Sequence, residues 1–209
     1  MPESISSVVQ RVTTLSRNQR TLILTPGPHG TRCLKEALSI CEGGGCAVTI
    51  LDSETSRLKP GNAGRVRGRA TRLPFVKHSF DAILSFESLY SIRPPWTVLA
   101  EFHRVLVPDG MLMLFEPAAH GFFSSLRDKV AGPGKRIFSL EEVKSRLARG
   151  DYAIDRTEEN LRVESFRWPA YALLAIKKEN PVEPVPQYKT GRELIESRKK
   201  KIPAGEELP

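Results

Sequence analysis

Two predicted strands in the first quarter of this chain end in residues that could contact a ligand. The apolar segment 21–25 (TLILT) predicts a buried strand, and the loop 26–30 (PGPHG) follows it. The segment 47–51 (AVTIL) predicts a second strand, which ends at Asp52. Doubly wound sheets bind ligands beyond the carboxyl ends of their strands. We therefore expect the glycine backbone of the loop and the carboxylate of Asp52 to face one ligand site.

A parallel sheet is needed to bring these residues together, and the segment 69–117 predicts half of one. Its hydrophobic pattern changes from strand period to helix period and back, with apolar runs at 82–86 and 111–115 around a helical pattern at 94–106. The turn Pro108-Asp109-Gly110 precedes the second run, because proline fixes φ and Gly110 can accept a positive φ.

The residues of this segment resemble those of one protein family. LPF at 73–75, SFD at 79–81 and EFHRVLVPDG at 101–110 are similar, in wording and in order, to class I S-adenosylmethionine-dependent methyltransferases. Within them the pattern is most similar to the small-molecule, type 11-like branch. The resemblance implies an α/β, Rossmann-like class I methyltransferase fold. That fold is a mostly parallel seven-stranded sheet with an antiparallel final strand and helices on both faces.

Further elements are predicted in the same frame. Strand three is expected at 64–70, on the edge of the sheet, and the final antiparallel pair at 154–163 and 171–177. Ser139 and Glu142 have the spacing of a capping box, so a helix should begin there. Upstream, a helix over 31–42 should stop at the glycines that follow it.

The resemblance also implies an activity, the transfer of a methyl group from S-adenosylmethionine to an unidentified small-molecule acceptor. In that family an acid at the end of strand two accepts hydrogen bonds from both ribose hydroxyls, and Asp52 matches this acid. No catalytic residue is implied, although Glu87 and His120 stand where a base could. The residues expected to bind the cofactor are Gly27, Gly30, Asp52, Ser53, Arg69, Ala70, Ser85 and Phe86.

Four positions depart from the family pattern. The family has an acid at the end of strand one and then GxGxG, but here Leu24 replaces the acid, and Pro26 and Pro28 replace two glycines. Proline has no N–H and a fixed φ, so this degenerate loop loses donors. Arg69 replaces the acid that receives the adenine amino group, and a guanidinium has donors only. The alternative interpretation is a methyltransferase fold without catalysis, kept as a binding or assembly module.

The formal net charge of +8 is concentrated in one segment. Residues 57–72 contain six cations and no acid, namely Arg57, Lys59, Arg65, Arg67, Arg69 and Arg72. This pattern is typical of a surface that binds RNA phosphates or an acidic protein. The other interpretation is structural, because charges on an edge strand oppose aggregation.

Three parts of the chain are expected to differ in structure: an N-terminal helix within 1–20, a methyltransferase-like domain at 21–180, and a polar, flexible C-terminal tail at 181–209. No apolar run approaches the roughly 20 residues that cross a bilayer, and the N-terminus lacks a secretory pattern, so we expect a cytoplasmic protein without a membrane partner. Cys33, Cys41 and Cys46 lack zinc-site spacing, so we expect no metal, and Cys33 and Cys41 fall on a predicted helix, where we expect buried thiols.

Overall fold

The structure is a computed structural model, and it describes residues 4–26, 30–52, 63–118, 136–162 and 169–178. Within these ranges it leaves out the side chains of residues 11, 30, 31 and 52. Every described residue belongs to one unit, residues 1–179. The expected tail at 181–209 lies outside the described residues.

One seven-stranded sheet accounts for all the strands in these ranges. Its order is β3-β2-β1-β4-β5-β7-β6. The strands are β1 (Arg20–Leu24), β2 (Ala47–Asp52), β3 (Gly64–Arg67), β4 (Phe80–Phe86), β5 (Leu106–Pro117), β6 (Tyr152–Leu161) and β7 (Ala170–Lys177).

Among the described residues, one helix precedes β1 and four lie in the connections between strands. Ser4 caps the first helix by accepting a hydrogen bond from the N–H of Ser7 at 3.1 Å. At the last helix Ser139 and Glu142 make both bonds of the predicted capping box. The helices are α1 (Ile5–Val12), α2 (Gly30–Gly44), α3 (Ser88–Ser91), α4 (Pro95–Val105) and α5 (Leu140–Arg149).

The strand directions confirm the fold predicted from the sequence. β1, β2, β3, β4 and β5 are parallel to one another, whereas β7 is antiparallel to both β5 and β6. β3 lies at one edge of the sheet, as predicted, and the apolar β7 lies inside it. The parallel strands therefore end on one edge of the sheet, where the candidate residues were expected to meet.

Side chains alternate between the two faces of the sheet, because successive residues of a strand point to opposite sides. On β1, Leu22 and Leu24 pack in the core shared with α4 and α5, while Ile23 packs in the core shared with α1 and α2. One apolar cluster lies on each face of the sheet, between the strands and the helices that cover that face. This arrangement explains why the central strands read as continuous apolar runs.

Two local predictions were wrong in detail. β3 ends at Arg67, so Arg69 lies outside the strand and forms an isolated bridge with Arg72. The predicted turn at 108–110 lies inside β5, and there Asp109 and not Gly110 takes the left-handed conformation, with φ 58°. Gly110 is required for space instead, since a Cβ there would lie 2.8 Å from the carbonyl oxygen of Val107.

Candidate functional site

A cavity of about 370 Å³ lies at the carboxyl ends of β1 and β2. Three segments line it: Leu24 to Pro26 after β1, Arg69 to Thr71 in the turn after β3, and Ser91 to Arg93 at the end of α3. Leu51 from β2 completes the wall. We call this space the β1–β2 cavity. It lies where a doubly wound sheet binds its ligands.

The wall formed by β1 is apolar at the position where the sequence lacks an acid. Leu24 is 1% exposed and packs in the sheet core. Pro26 lines the cavity but has no N–H to offer. A ligand in the β1–β2 cavity therefore meets no charged side chain at Leu24 and no N–H donor at Pro26.

The turn after β3 is held close to the sheet by Gly68. A Cβ at Gly68 would lie 2.8 Å from Cδ of Pro74 and 3.1 Å from Cδ1 of Leu51, so only glycine fits without movement. The N–H of Arg72 donates to the carbonyl of Arg69 at 3.0 Å and closes the turn. Ala70 is buried in the wall, while Arg69 is exposed at the rim of the cavity.

The loop that follows this turn is fixed by two side chains of α4. Glu101 Oε2 accepts a hydrogen bond from the N–H of Leu73 at 2.6 Å. Arg104 donates to the carbonyl oxygens of Phe75 at 2.7 Å and Leu73 at 3.0 Å. The hydrogen bonds from Arg104 lower the pKa of Glu101, which keeps the pair ionised. These bonds join the LPF string to the ExxR string and position the turn that lines the cavity.

The end of α3 brings an unpaired hydroxyl to the opposite wall. Ser91 Oγ is buried and has no hydrogen-bond partner among the described residues. Buried polar atoms are nearly always paired, so such an atom beside a cavity indicates a place for a polar group of a ligand. Arg93 lies next to it and donates to the carbonyls of Leu89 at 2.9 Å and Ile92 at 2.8 Å.

A buried carboxyl group binds the backbone of α3, and it was not predicted from the sequence. Glu116, near the end of β5, accepts hydrogen bonds from the N–H of Leu89 at 3.0 Å and of Tyr90 at 3.1 Å. Burial raises the pKa of Glu116 to about 8, although these backbone donors oppose the shift. A single acid at the end of the apolar run MLMLF was the signal that could have found it.

The structure brings together only part of the predicted cofactor set. Arg69 and Ala70 line the β1–β2 cavity. Asp52 ends β2 beside the lining residue Leu51, with its side chain outside the description, and Gly30 begins α2. Gly27 and Ser53, like the possible base His120, lie outside the described residues.

The two predicted residues of β4 lie apart from the cavity lining. The Ser85 hydroxyl donates to the Ser88 hydroxyl in the interior. The Phe86 ring packs on the other face of the sheet, 6.1 Å from the ring of Phe115. Glu87, the other possible base, is buried with φ 57°, and its N–H donates to the carbonyl of Phe115.

The described part of the basic segment lies on and after the edge strand. Arg65 and Arg67 are exposed on β3, while Arg57 and Lys59 lie outside the described residues. The predicted burial of two cysteines on α2 is confirmed. Burial raises the pKa of Cys41 to about 12 and that of Cys33 further, so both are thiols at neutral pH.

Comparison with known families gives this arrangement a name. The family described as "Methyltransferase domain" matches residues 32–114, from α2 into β5. Over these residues the chain is similar to class I methyltransferase domains. The match identifies the type 11 branch and confirms the resemblance read from the LPF, SFD and ExxRVL strings.

Curated relatives of the methyltransferase domain match over shorter stretches. Over 88 residues the chain is 36% identical to a demethylmenaquinone methyltransferase of Renibacterium salmoninarum, covering 40% of this chain and 37% of that protein. Over 85 residues it is 33% identical to phthiotriol/phenolphthiotriol dimycocerosates methyltransferase 1 of Mycobacterium ulcerans, covering 41% and 31%. The chain thus spans about a third of the length of the curated relatives it matches.

Solved structures with the same fold cover most of the chain. The [4+2]-cyclase SpnF superposes with a TM-score of 0.67 at 18% identity, over 84% of this chain and 80% of that one. A SAM-dependent methyltransferase from Methanosarcina mazei gives a TM-score of 0.63 at 17% identity, over 85% and 100%. At these identities the likeness establishes the fold alone. In the described part of the chain, no helix has the length and apolar character needed to cross a membrane.

Proposed function

We propose that this chain binds S-adenosylmethionine in the β1–β2 cavity and transfers its methyl group to a small-molecule acceptor. The observation that carries the proposal is the place of the cavity. It opens at the carboxyl ends of two neighbouring parallel strands in a class I methyltransferase domain. Bound there, the cofactor supplies an electrophilic methyl group.

The residues of the cavity fit the nucleoside part of this cofactor. The volume of the β1–β2 cavity falls within the range of small-molecule sites, about 300 to 1,000 Å³. Leu51, Ala70 and Ile92 offer an apolar wall for adenine, and the unpaired hydroxyl of Ser91 offers a polar contact. Asp52, at the end of β2, is the proposed acceptor for the ribose hydroxyls.

The cavity offers fewer polar contacts to the methionine part of the cofactor. Leu24 supplies no carboxylate for its ammonium group, and Pro26 supplies no donor. We therefore propose that affinity resides mainly in the nucleoside. The chain's own contribution to the reaction is positioning and exclusion of water, which can lower a barrier by about 7 to 11 kcal/mol in favourable cases. No side chain is proposed as a base.

The acceptor is proposed only as a class. The names of the curated relatives make demethylmenaquinone the first acceptor to assay, with a phthiotriol or phenolphthiotriol dimycocerosate second. The matched stretches cover about a third of those proteins, so the acceptor remains a choice for experiment.

Calorimetry with S-adenosylmethionine and with its demethylated product tests the proposal. We expect both to bind, and Asp52→Asn to weaken binding about tenfold, because a charge-assisted hydrogen bond contributes roughly 1.5 to 3 kcal/mol. Asp109→Asn is the matched control, since it makes the same change at an exposed position near the start of β5. Equal effects of the two variants, or no heat with wild type, would count against the proposal.

A second candidate is a binding module without catalysis, favoured by the buried Leu24 and by Pro26 in the cavity wall. The fold of a [4+2]-cyclase shows that this architecture accompanies more than one activity. On this reading the basic residues contact RNA or an acidic protein. If wild type shows no heat but Leu24→Asp, Pro26→Gly, Pro28→Gly gains cofactor binding, the module is the better account.

A further inference from the structure

A second cavity, of about 390 Å³, lies between α4 and α5 over the start of β6. We call it the α4–α5 cavity. None of its lining residues lines the β1–β2 cavity. β6 runs parallel to β5, so its first residue, Tyr152, lies at the amino end of the sheet, opposite the edge of the β1–β2 cavity.

Two residues that line this cavity each have a buried polar atom without a partner among the described residues. Nε2 of His103 and the hydroxyl of Tyr152 have no hydrogen bond to any described residue. The two rings contact each other edge to face, with centroids 5.4 Å apart, and Tyr152 is only 2% exposed. Burial lowers the pKa of His103, so its ring is neutral near pH 7 and offers one donor and one acceptor. A ligand hydroxyl can satisfy such a pair, since it both donates and accepts.

The walls of the cavity are suited to a flat apolar group. Trp96 and Leu99, one helical turn apart on α4, face Leu147 of α5. The guanidinium of Arg146 lies 5.0 Å from the centroid of the Trp96 ring. Aromatic faces and planar guanidinium groups both stack on rings, which favours an aromatic ligand over a branched one.

Positive charge prevails among the lining residues. Arg146 and Arg149 are exposed at the end of α5, and Asp151 is the acid of the lining. Guanidinium groups bind carboxylates in bidentate geometry, and cations at a helix C-terminus are already favoured by the helix dipole. An anionic group on the ligand would therefore lie at the arginine side of the cavity.

We propose that the α4–α5 cavity is a second ligand site, which binds a small aromatic carboxylic acid bearing a hydroxyl group. The ring lies against Trp96, the hydroxyl pairs with His103 and Tyr152, and the carboxylate faces Arg149. The site is separate from methyl transfer and does not depend on the function proposed above.

Titration of the full chain with 4-hydroxybenzoate tests the site, with benzoate and phenol as matched ligands. We expect submillimolar binding of 4-hydroxybenzoate by calorimetry. Benzoate should bind about tenfold more weakly, because it leaves the two buried polar atoms unpaired. Phenol should bind about tenfold more weakly because it loses the charge-assisted contact.

Paired variants locate the contacts. Tyr152→Phe should weaken 4-hydroxybenzoate about tenfold, whereas Tyr171→Phe should leave affinity unchanged, although it too removes a buried unpaired hydroxyl. Arg149→Gln should weaken binding several-fold, and Lys144→Gln, a cation of the same helix outside the cavity, should not.

Three results would overturn the site. One is the absence of heat at 10 mM 4-hydroxybenzoate, on the order of the weakest binding that a specific small ligand shows. Another is equal affinity for 4-hydroxybenzoate, benzoate and phenol, which indicates that only water pairs with His103 and Tyr152. The third is an equal loss in Tyr152→Phe and Tyr171→Phe. The ligand series uses wild type, so it decides the matter even if Tyr152→Phe fails to fold.

Discussion

Glu101 and Arg104 lie one helical turn apart on α4, 2.7 Å between Oε2 and Nη2, and both bind the backbone of residues 73–75. The pair therefore acts as a clamp between a helix on one face of the sheet and the loop after the 69–71 turn. Arg104 alone makes two bonds to carbonyl oxygens and two to Glu101. Its removal leaves several polar groups without partners at once.

Arg104→Ala should lower the free energy of unfolding by about 1 to 3 kcal/mol, the cost of leaving partly buried acceptors unpaired. Lys144→Ala is the control, because Lys144 and Glu141 form an ion pair of the same spacing on α5, but with Glu141 80% exposed. That variant should change stability by less than about 0.5 kcal/mol. Urea denaturation measures both, and similar losses would contradict the clamp.

The LPF, SFD and ExxR strings implied a mostly parallel sheet with an antiparallel final strand, but they did not predict this clamp. Periodicity reports which residues face the core, whereas the bonds from Arg104 to Phe75 join residues 29 positions apart through side-chain geometry. The SFD string likewise contains a long-range contact that periodicity does not report. Asp81 accepts bonds from both the backbone and the guanidinium of Arg20, at 2.8 and 2.7 Å, and so ties β4 to the start of β1.

The candidate sites were predicted unequally for a related reason. Arg69 and Ala70 were assigned from the family resemblance, and they line the β1–β2 cavity although they follow β3 instead of ending it. Glu116 was missed because a charged residue in an apolar run gives no sign of what pairs with it. The α4–α5 cavity arises from the spacing between two packed helices, and no pattern in either helix reports that spacing.

Stability should fall as pH rises between the unfolded and folded pKa values of Glu116. The folded pKa is raised to about 8 from the model-compound value of 4.5. Between these values the folded state holds a proton that the unfolded state has lost, so the slope approaches about −1.4 kcal/mol per pH unit.

Glu116→Gln should flatten this slope, because glutamine does not titrate. Glu141→Gln, which removes an exposed carboxyl group, should leave it unchanged. Urea denaturation of the three proteins at pH 5, 6, 7 and 8, roughly the interval of the titration, measures the difference. Parallel curves for wild type and Glu116→Gln would show that Glu116 titrates normally.

The arginines of β3 should protect the sheet edge. β3 pairs with β2 on one side only among the described strands, and Arg65 and Arg67 are exposed along it. The double variant Arg65→Thr, Arg67→Thr should raise the aggregation rate at 37 °C several-fold, because it removes charge and adds β propensity at an edge.

Lys77→Thr, Arg162→Thr is the control for that experiment, since it removes the same charge from exposed positions away from β3. Light scattering at equal protein concentration compares the two. If both variants aggregate alike, net charge and not the edge is responsible.

Arg69 should limit the affinity for S-adenosylmethionine. It lies at the rim of the β1–β2 cavity and has donors only, so it cannot accept from the adenine amino group. Arg69→Asp should strengthen binding about tenfold, in keeping with a new charge-assisted hydrogen bond of roughly 1.5 to 3 kcal/mol less the cost of ordering it. Arg67→Asp makes the same change of charge on β3, outside the cavity lining, and should have little effect. Calorimetry with S-adenosylmethionine compares the two. Weaker binding in Arg69→Asp alone would mean that the guanidinium stacks on the adenine ring. Equal gains in affinity in both variants would mean that the new carboxylate acts only by long-range attraction of the cationic ligand.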